Sequence, residues 1–415
     1  MSDQARTRDL DVVIYGASGF VGALTAQHLA GHAPDSIRIA LAGRSMAKLE
    51  LLRSRLGVGW PIIIADAGDG PALEKLAAAT HVVITTVGPY AKYGQGLARA
   101  CAAAGTDYVD LTGEVLFARA SIGENHETAR RTGARIVHSC GFDSIPSDLG
   151  VHVLHERIAA DGAGEMTDTT LVVTSLRGGF SGGTIDSMRY QLDTVKKDGT
   201  QRRAAAGPYA LSPDRAAEPD LGRQEDLISM PGSAVDPSLR GSLAPFVMAP
   251  YNTRVVRRSN ALRDWAYGRR FRYREAMSVG TSPLSPVLAA GVKLGLGALY
   301  LGLSLPPTRF LLDRMLPKPG DGPSERARRE GHFTVDIFTT TTKGLRYRAR
   351  VRADGDPGYA ATAIMLGESA LALALDRAGL PPTEGGVLTP ATGIGDALVH
   401  RLRAAGMELT VRKVG

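Results

Sequence analysis

Across residues 1–150 one pattern recurs: a short apolar run, a turn rich in glycine, then apolar positions at helical spacing. Asp11-Val-Val-Ile-Tyr15 is the first run, and Leu24, His28 and Leu29 carry the helical stretch after it. Further runs occupy Ile37–Ala42, Pro61–Asp66, His81–Val87, Asp107–Leu111 and Arg135–Ser139. Strands alternating with helices predict a parallel sheet covered on both faces, with ligands beyond the carboxyl ends of the strands. Past Gly150 the pattern changes. Thr167–Ser175 and Phe333–Thr342 are long, β-branched and roughly alternating, and the second predicts a hairpin with Arg346–Val351 turning at Lys343-Gly344. Residues 200–245, rich in Pro, Gly, Ser and charge, predict loop with short helices. Tyr359–Asp376 and Ile394–Ala405 predict helices.

The turn after the first run reads Gly16-Ala-Ser-Gly19-Phe-Val-Gly22. Strand, glycine turn and helix in that order place backbone N–H groups and the positive end of a helix where a pyrophosphate can sit. The fold class is therefore α/β: an N-terminal Rossmann-type doubly wound parallel sheet with a second α+β domain carrying a largely antiparallel sheet. The first domain spans 1–150 and binds the dinucleotide; residues 151–380 form the domain for substrate and partner.

The end of the second strand distinguishes NAD from NADP. An acidic residue there accepts hydrogen bonds from a ribose 2′-hydroxyl. This chain has Gly43-Arg44-Ser45 instead, with Lys48 one turn further on. An arginine makes charge-assisted bonds to a 2′-phosphate that a carboxylate would repel, so the expected cofactor is NADP (NADPH). Asp66 is expected beside the adenine, and Thr86-Val87-Gly88-Pro89 beside the nicotinamide ribose. The expected cofactor-binding set is Gly16, Ser18, Gly19, Phe20, Val21, Gly22, Arg44, Ser45, Lys48, Asp66, Thr86, Val87, Gly88, Pro89, Cys140, Gly141, Phe142 and Asp143.

Composition refines the picture at three points. Two cysteines, Cys101 and Cys140, are too few for a disulfide framework or a cysteine-rich zinc site, and no metal is expected. The polar N-terminus lacks the apolar stretch of a signal peptide, so the expected location is cytoplasmic. The net charge is +7, and eight arginines lie between Arg254 and Arg274 with Trp265, Tyr267, Phe271 and Tyr273 among them. That cluster reads as a docking patch for an acidic carrier domain, a phosphopantetheine phosphate or an anionic lipid surface, or else as a solvated basic face. Nothing else points to nucleic acid. Val287–Leu305 is nearly all apolar, interrupted by Lys293, Tyr300 and Ser304 and bracketed by Pro286, Pro306 and Pro307. It reads as a plain core helix, as a buried helix lining an acyl pocket, or as a helix at a membrane surface, peripheral at the inner face of the plasma membrane.

Gly16–Gly22, Leu41-Ala-Gly-Arg-Ser45, Thr86-Val-Gly-Pro-Tyr90, Tyr108-Val-Asp-Leu-Thr-Gly-Glu114 and Cys140-Gly-Phe-Asp-Ser-Ile-Pro-Ser-Asp148 together resemble the saccharopine dehydrogenase-like oxidoreductases. The chain looks closest to the trans-acting enoyl reductases of mycobacterial phthiocerol-type lipid synthesis, supported by Tyr251–Ala261, Trp265–Tyr273 and Gly386-Val-Leu-Thr-Pro390. The resemblance implies a C-terminal segment, 381–415, that packs back on the first domain. It also implies NADPH-dependent reduction of an α,β-unsaturated polyketide or fatty acyl intermediate presented by the acyl carrier domain of a polyketide synthase. A homodimer is the expected assembly.

Enoyl reduction needs a hydride at the β-carbon, a proton at the α-carbon and a dry site. Tyr90, Lys92 and Tyr93, after the fourth strand, are the catalytic candidates: one tyrosine as proton donor, Lys92 easing its ionisation. Tyr90 reads equally well as packing. Asp143 and Asp148 read as caps for the helix after Pro146, and Glu114 as closing the site or tying down a loop. Two other readings stand beside enoyl reduction: an amino-acid oxidoreductase whose arginines grip two carboxylates, and a non-catalytic NADP-binding protein at a membrane.

Overall fold

The computed structural model describes residues 8–178, 182–304, 308 and 322–414. Leu305, Pro306 and Pro307, which close the long apolar segment, lie outside them. Contacts divide the chain into two units. One comprises residues up to 112, 120–141 and 362–401; the other comprises 113–119, 142–361 and 402–415. The chain crosses between them several times, so the contacts do not follow linear boundaries at 150 and 380.

In the first unit, the strands are β1 (Leu10–Tyr15), β2 (Ile39–Gly43), β3 (Ile62–Ile64), β4 (Thr80–Thr85), β5 (Asp107–Val109) and β6 (Arg135–Val137). A further strand near the C-terminus, Gly386–Leu388, pairs in parallel with β6. The sheet order, written by first residue, is 386-135-107-80-10-39-62, all parallel, with the order reversing beside β1. That reversal is the switch point where such sheets bind ligands. β2 is wholly apolar, and β1 and β4 carry the apolar centres Val12-Val13-Ile14 and Val82-Val83-Ile84, because both faces are covered. The helix Thr362–Leu375 packs on β1, β4 and β5 and on the helix Phe20–His32. A buried polar bond fixes it there: His28 Nε2 meets Glu368 Oε1 at 2.8 Å, and Arg401 donates to the other Glu368 oxygen at 3.3 Å.

In the second unit the sheet comprises β7 (Met166–Arg177), β8 (Met230–Pro231), β9 (Ser242–Pro245), β10 (Arg272–Ser278), β11 (His332–Thr341), β12 (Arg346–Asp354) and the C-terminal strand Glu408–Val414, here β14, the 386–388 strand being β13. Its order is β14-β12-β11-β7-β10-β9-β8, antiparallel throughout except for β7 with β10. The β11–β12 hairpin turns at Gly344, whose φ of 74° suits a residue without a side chain. The helix Ile145–Ala160 lies on this sheet so closely that a Cβ at Gly150 would fall 2.5 Å from Ile337 Cδ1.

Candidate active site

At the carboxyl end of β1 the glycines are required by contact. Gly16 has φ 84°, and a Cβ there would meet Val87 Cγ2 at 2.7 Å and Thr86 Oγ1 at 2.9 Å. The Thr86 hydroxyl donates to the Gly16 carbonyl at 3.1 Å, joining the glycine turn to the end of β4. A Cβ at Gly22 would fall 2.3 Å from the Gly16 oxygen, so the turn and the first helical turn touch backbone to backbone. Gly19 is the N-cap of the helix Phe20–His32, and no side chain caps it. Ser18 and Gly19 are exposed; Phe20 and Val21 are half-buried. The result is a helix N-terminus without a side-chain cap, of the kind that holds phosphates.

The other expected cofactor residues of the first unit follow the carboxyl ends of the parallel strands β2, β3, β4 and β6. Arg44 and Lys48 are exposed at the end of β2, with half-buried Ser45 between them, at the N-cap of Met46–Leu56. Asp66, exposed after β3, accepts from Gly68 N at 2.9 Å. Tyr15 senses both charges: burial and the Asp66 carboxylate push its hydroxyl up to about 12, and Arg44 pulls it back. Val87 and Pro89 are half-buried and Gly88 is exposed. Cys140 and Gly141 are buried; a Cβ on Gly141 would meet Leu111 Cδ2 at 2.7 Å. Phe142 and Asp143 fall in the second unit, Phe142 against Phe333 with ring centroids 4.8 Å apart. Burial pushes the Asp143 carboxyl up to about 6. A cradle that a Cβ would fill, a helix end without a side-chain cap and an exposed arginine at the end of β2 fit NADP.

The three catalytic candidates separate. Tyr90 is buried; its hydroxyl donates to Thr85 O at 3.1 Å and accepts from Leu111 N at 3.1 Å, joining the ends of β4 and β5. Lys92 and Tyr93 are exposed, with the Lys92 ammonium 4.8 Å from the Tyr93 ring centroid.

Sequence reasoning missed two polar clusters. Asp110 accepts from Tyr108 OH (3.0 Å), His138 Nδ1 (2.7 Å), Ser139 N (2.9 Å) and Thr112 N (3.1 Å), and His138 Nε2 reaches Ser121 Oγ at 2.9 Å. The connectivity is that of a nucleophile relay, but all three side chains are buried, so the chain of bonds anchors the strand ends instead. In the second unit Glu275 accepts from Ser147 Oγ (2.7 Å), Tyr273 OH (2.8 Å) and Asn252 Nδ2 (3.0 Å), and Ser144 Oγ donates to Asn252 Oδ1 at 3.0 Å. The Asp143–Asp148 motif is thus an anchor. Asp148 takes the Ser259 hydroxyl, and neither aspartate caps the helix, whose N-cap is Ser144. Glu114 ties down a loop, accepting from Ser187 Oγ at 2.6 Å.

Burial dominates at Glu275 and pushes its carboxyl up to about 7, although its three donors pull the other way. A carboxyl raised in the folded state keeps its proton longer than in the unfolded chain, so stability falls as pH rises from about 4.5 to about 7. Glu275→Gln should flatten that fall by about 2–3 kcal/mol in urea titrations run across this range. An unchanged slope would contradict the assignment.

The arginine cluster is not the docking patch or solvated face expected of it. Arg254, Arg257 and Arg258 are buried on the helix Ala249–Leu262. Arg254 binds Asp226 at 2.9 Å and the carbonyls of Ala205 and Ala206; Arg257 binds the carbonyls of Pro208 and Tyr273; Arg258 binds that of Leu211 at 2.6 Å. Four of these guanidinium donors take carbonyls at the end of the helix Gly199–Ala206 and in the segment after it, at 205, 206, 208 and 211, which explains arginines at helical spacing beside an irregular segment. Of the eight, Arg269, Arg270 and Arg272 are exposed, and Arg269 lies 4.1 Å over Trp265.

Residues 12–137 match the saccharopine dehydrogenase NADP-binding domain family. A protein from Mycobacterium tuberculosis strain H37Rv, named provisionally as a trans-acting enoyl reductase, is 54% identical over 420 residues, 99% of each chain. The trans-acting enoyl reductase of Mycobacterium bovis strain BCG is 51% identical over 411 residues, covering 96% of this chain and 97% of its own. This chain belongs to the trans-acting enoyl reductase family. That of Mycobacterium ulcerans is 48% identical over 98% of this chain and 99% of its own. Among solved structures, apo saccharopine dehydrogenase (L-Glu forming) of Saccharomyces cerevisiae superposes with a TM-score of 0.55 over 98% of this chain and all of its own, at 13% identity. At that identity the likeness concerns the fold. It matches the expected class: a parallel Rossmann-type sheet and a second, mostly antiparallel one.

Proposed function

We propose that this protein is an NADPH-dependent trans-acting enoyl reductase, reducing the carbon–carbon double bond of an α,β-unsaturated acyl chain built by a separate synthase. The observation that carries this is the near-full-length kinship, at 51% identity, with proteins bearing that name, joined to an NADP-binding domain. Bound NADPH supplies the hydride for the β-carbon. Phe20, Val21 and Gly22 would hold its pyrophosphate through backbone amides, and Arg44, with Ser45 and Lys48, its 2′-phosphate.

The chain itself must then protonate the α-carbon. Tyr93 suits this better than Tyr90, because Tyr90's hydroxyl is spent between two backbone groups while Tyr93 is exposed with a cation at its ring. Tyr93→Phe should lower kcat by roughly 100-fold and leave NADPH affinity unchanged. Tyr90→Phe should instead cost about 1–2 kcal/mol of stability. A Tyr93→Phe enzyme with wild-type kcat would remove that residue from the mechanism.

The acyl carrier domain of a polyketide synthase is the partner this reading favours, since a trans-acting enzyme meets its substrate on another protein. The amino-acid alternative loses its main support, because the arginines offered to two carboxylates are buried against loop carbonyls. The test is a substrate panel: NADPH oxidation with long-chain 2-enoyl thioesters of pantetheine, and with an amino acid plus a 2-oxo acid. Oxidation with the thioesters alone supports the proposal; oxidation with the second pair alone overturns it.

A further inference from the structure

The helix Ser285–Ser304 is apolar along its length and exposed along one side. Ser285, Ala289 and Leu303 are its buried residues, on the side that packs against β9 and the helix Gly182–Lys197. The Ser285 hydroxyl lies 3.4 Å from that of Ser242 on β9. The opposite side follows the 3-4 spacing of one helix face: Leu284, Val287, Gly291, Leu294, Ala298, Leu301. Leu284 is 66% exposed, Val287 69%, Leu294 74% and Leu301 61%. Gly291, Gly295 and Gly297 face open space, since a Cβ on any of them would meet nothing within 4 Å. The stripe runs for about 25 Å. A surface helix of a water-soluble face carries its polar residues outward; this one has an apolar side buried and an apolar side in the open.

Charge narrows what can cover it. From Ala276 to Leu312 the sequence holds no Asp or Glu, and its charged residues are Lys293 and Arg309. Lys293 is exposed and sits at the border between the buried and open sides, where a lysine can extend its head group to water while its stem lies along apolar surface. An acidic carrier domain would need a row of cations here, and the helix offers one. A bilayer interface needs the reverse: a continuous apolar stripe, flanking positive charge and no carboxylate to desolvate.

We propose that Ser285–Ser304 docks the protein on an anionic phospholipid surface, lying in the interface plane with Leu284, Val287, Leu294 and Leu301 among the acyl chains. The buried side of the helix remains on β9, so the helix lies on the membrane rather than crossing it. This goes beyond the enoyl reductase reading and does not depend on it: an enzyme that takes a lipid-like chain would simply do so at a surface.

The test is co-sedimentation of the whole protein with phosphatidylcholine–phosphatidylglycerol vesicles, comparing wild type with a Leu294→Glu, Leu301→Glu double variant. Both positions are exposed, so the variant should fold and bind NADPH as wild type does. The variant's partition coefficient should fall at least about 100-fold. Both native cysteines are buried and so shielded from label, and a Leu294→Cys protein labelled with an environment-sensitive fluorophore should shift to the blue on those vesicles and resist aqueous quencher. Wild type that stays in the supernatant overturns the proposal. So does a label still open to quencher. A wild type that is dimeric without lipid, with a double variant that is monomeric, assigns the stripe to a second copy and overturns it too.

Discussion

Gly22→Ala should weaken NADPH binding by at least about 100-fold, close to 3 kcal/mol, while leaving the second unit's sheet intact. The added methyl would fall 2.3 Å from the Gly16 carbonyl oxygen and 2.9 Å from Ala17 Cα. Those are backbone atoms of the turn, so relief requires the helix Phe20–His32 to move away from it. The amides proposed to hold the pyrophosphate are the first of that helix, and their aim would be lost. Gly31→Ala, on the same helix but with nothing within 4 Å of the added carbon, separates this from general helix effects. That control should bind NADPH normally and be slightly more stable, by roughly 0.5–1 kcal/mol. NADPH affinity in Gly22→Ala within a few-fold of wild type would contradict the placement of the cofactor.

Arg44→Asp should invert cofactor preference. Wild type is expected to favour NADPH because the guanidinium is proposed to pair with its 2′-phosphate. An aspartate at that strand end repels the phosphate and accepts hydrogen bonds from a free 2′-hydroxyl. NADPH affinity should fall about 100-fold or more and NADH affinity rise, moving the ratio by roughly three orders of magnitude. Arg44 is exposed, so the melting temperature should hold. A wild type that already binds NADH as tightly as NADPH would contradict the role of Arg44.

Much of this was legible in the chain because local chemistry determined it. The glycine turn, the strands after it and the β11–β12 hairpin depend on short-range pattern and turn geometry, and they form where the pattern puts them. The family resemblance, read from Gly16–Gly22 through Asp148, was likewise carried by contiguous motifs.

What stayed hidden depended on distant pairings. Three residues, Gly386–Leu388, become a strand only because β6 lies beside them. The arginines of Ala249–Leu262 look like surface charge until loop carbonyls some fifty positions away claim them. Glu275 carries no signal of its own, because nothing in sequence joins it to Ser147, over a hundred residues earlier. Val287–Leu305 is too apolar for its spacing to reveal whether a face is buried, and only the fold shows that most of its described part, up to Ser304, is not.

The most direct test of the central claim follows the hydride. Whole enzyme should be supplied with NADPH carrying deuterium at nicotinamide C4 and a long-chain 2-enoyl thioester, and the product examined by mass spectrometry and NMR. The account predicts a saturated acyl chain with deuterium at the β-carbon and a solvent-derived hydrogen at the α-carbon. An unreduced thioester, or deuterium delivered instead to the α-carbon of an amino acid formed from a 2-oxo acid, would contradict it.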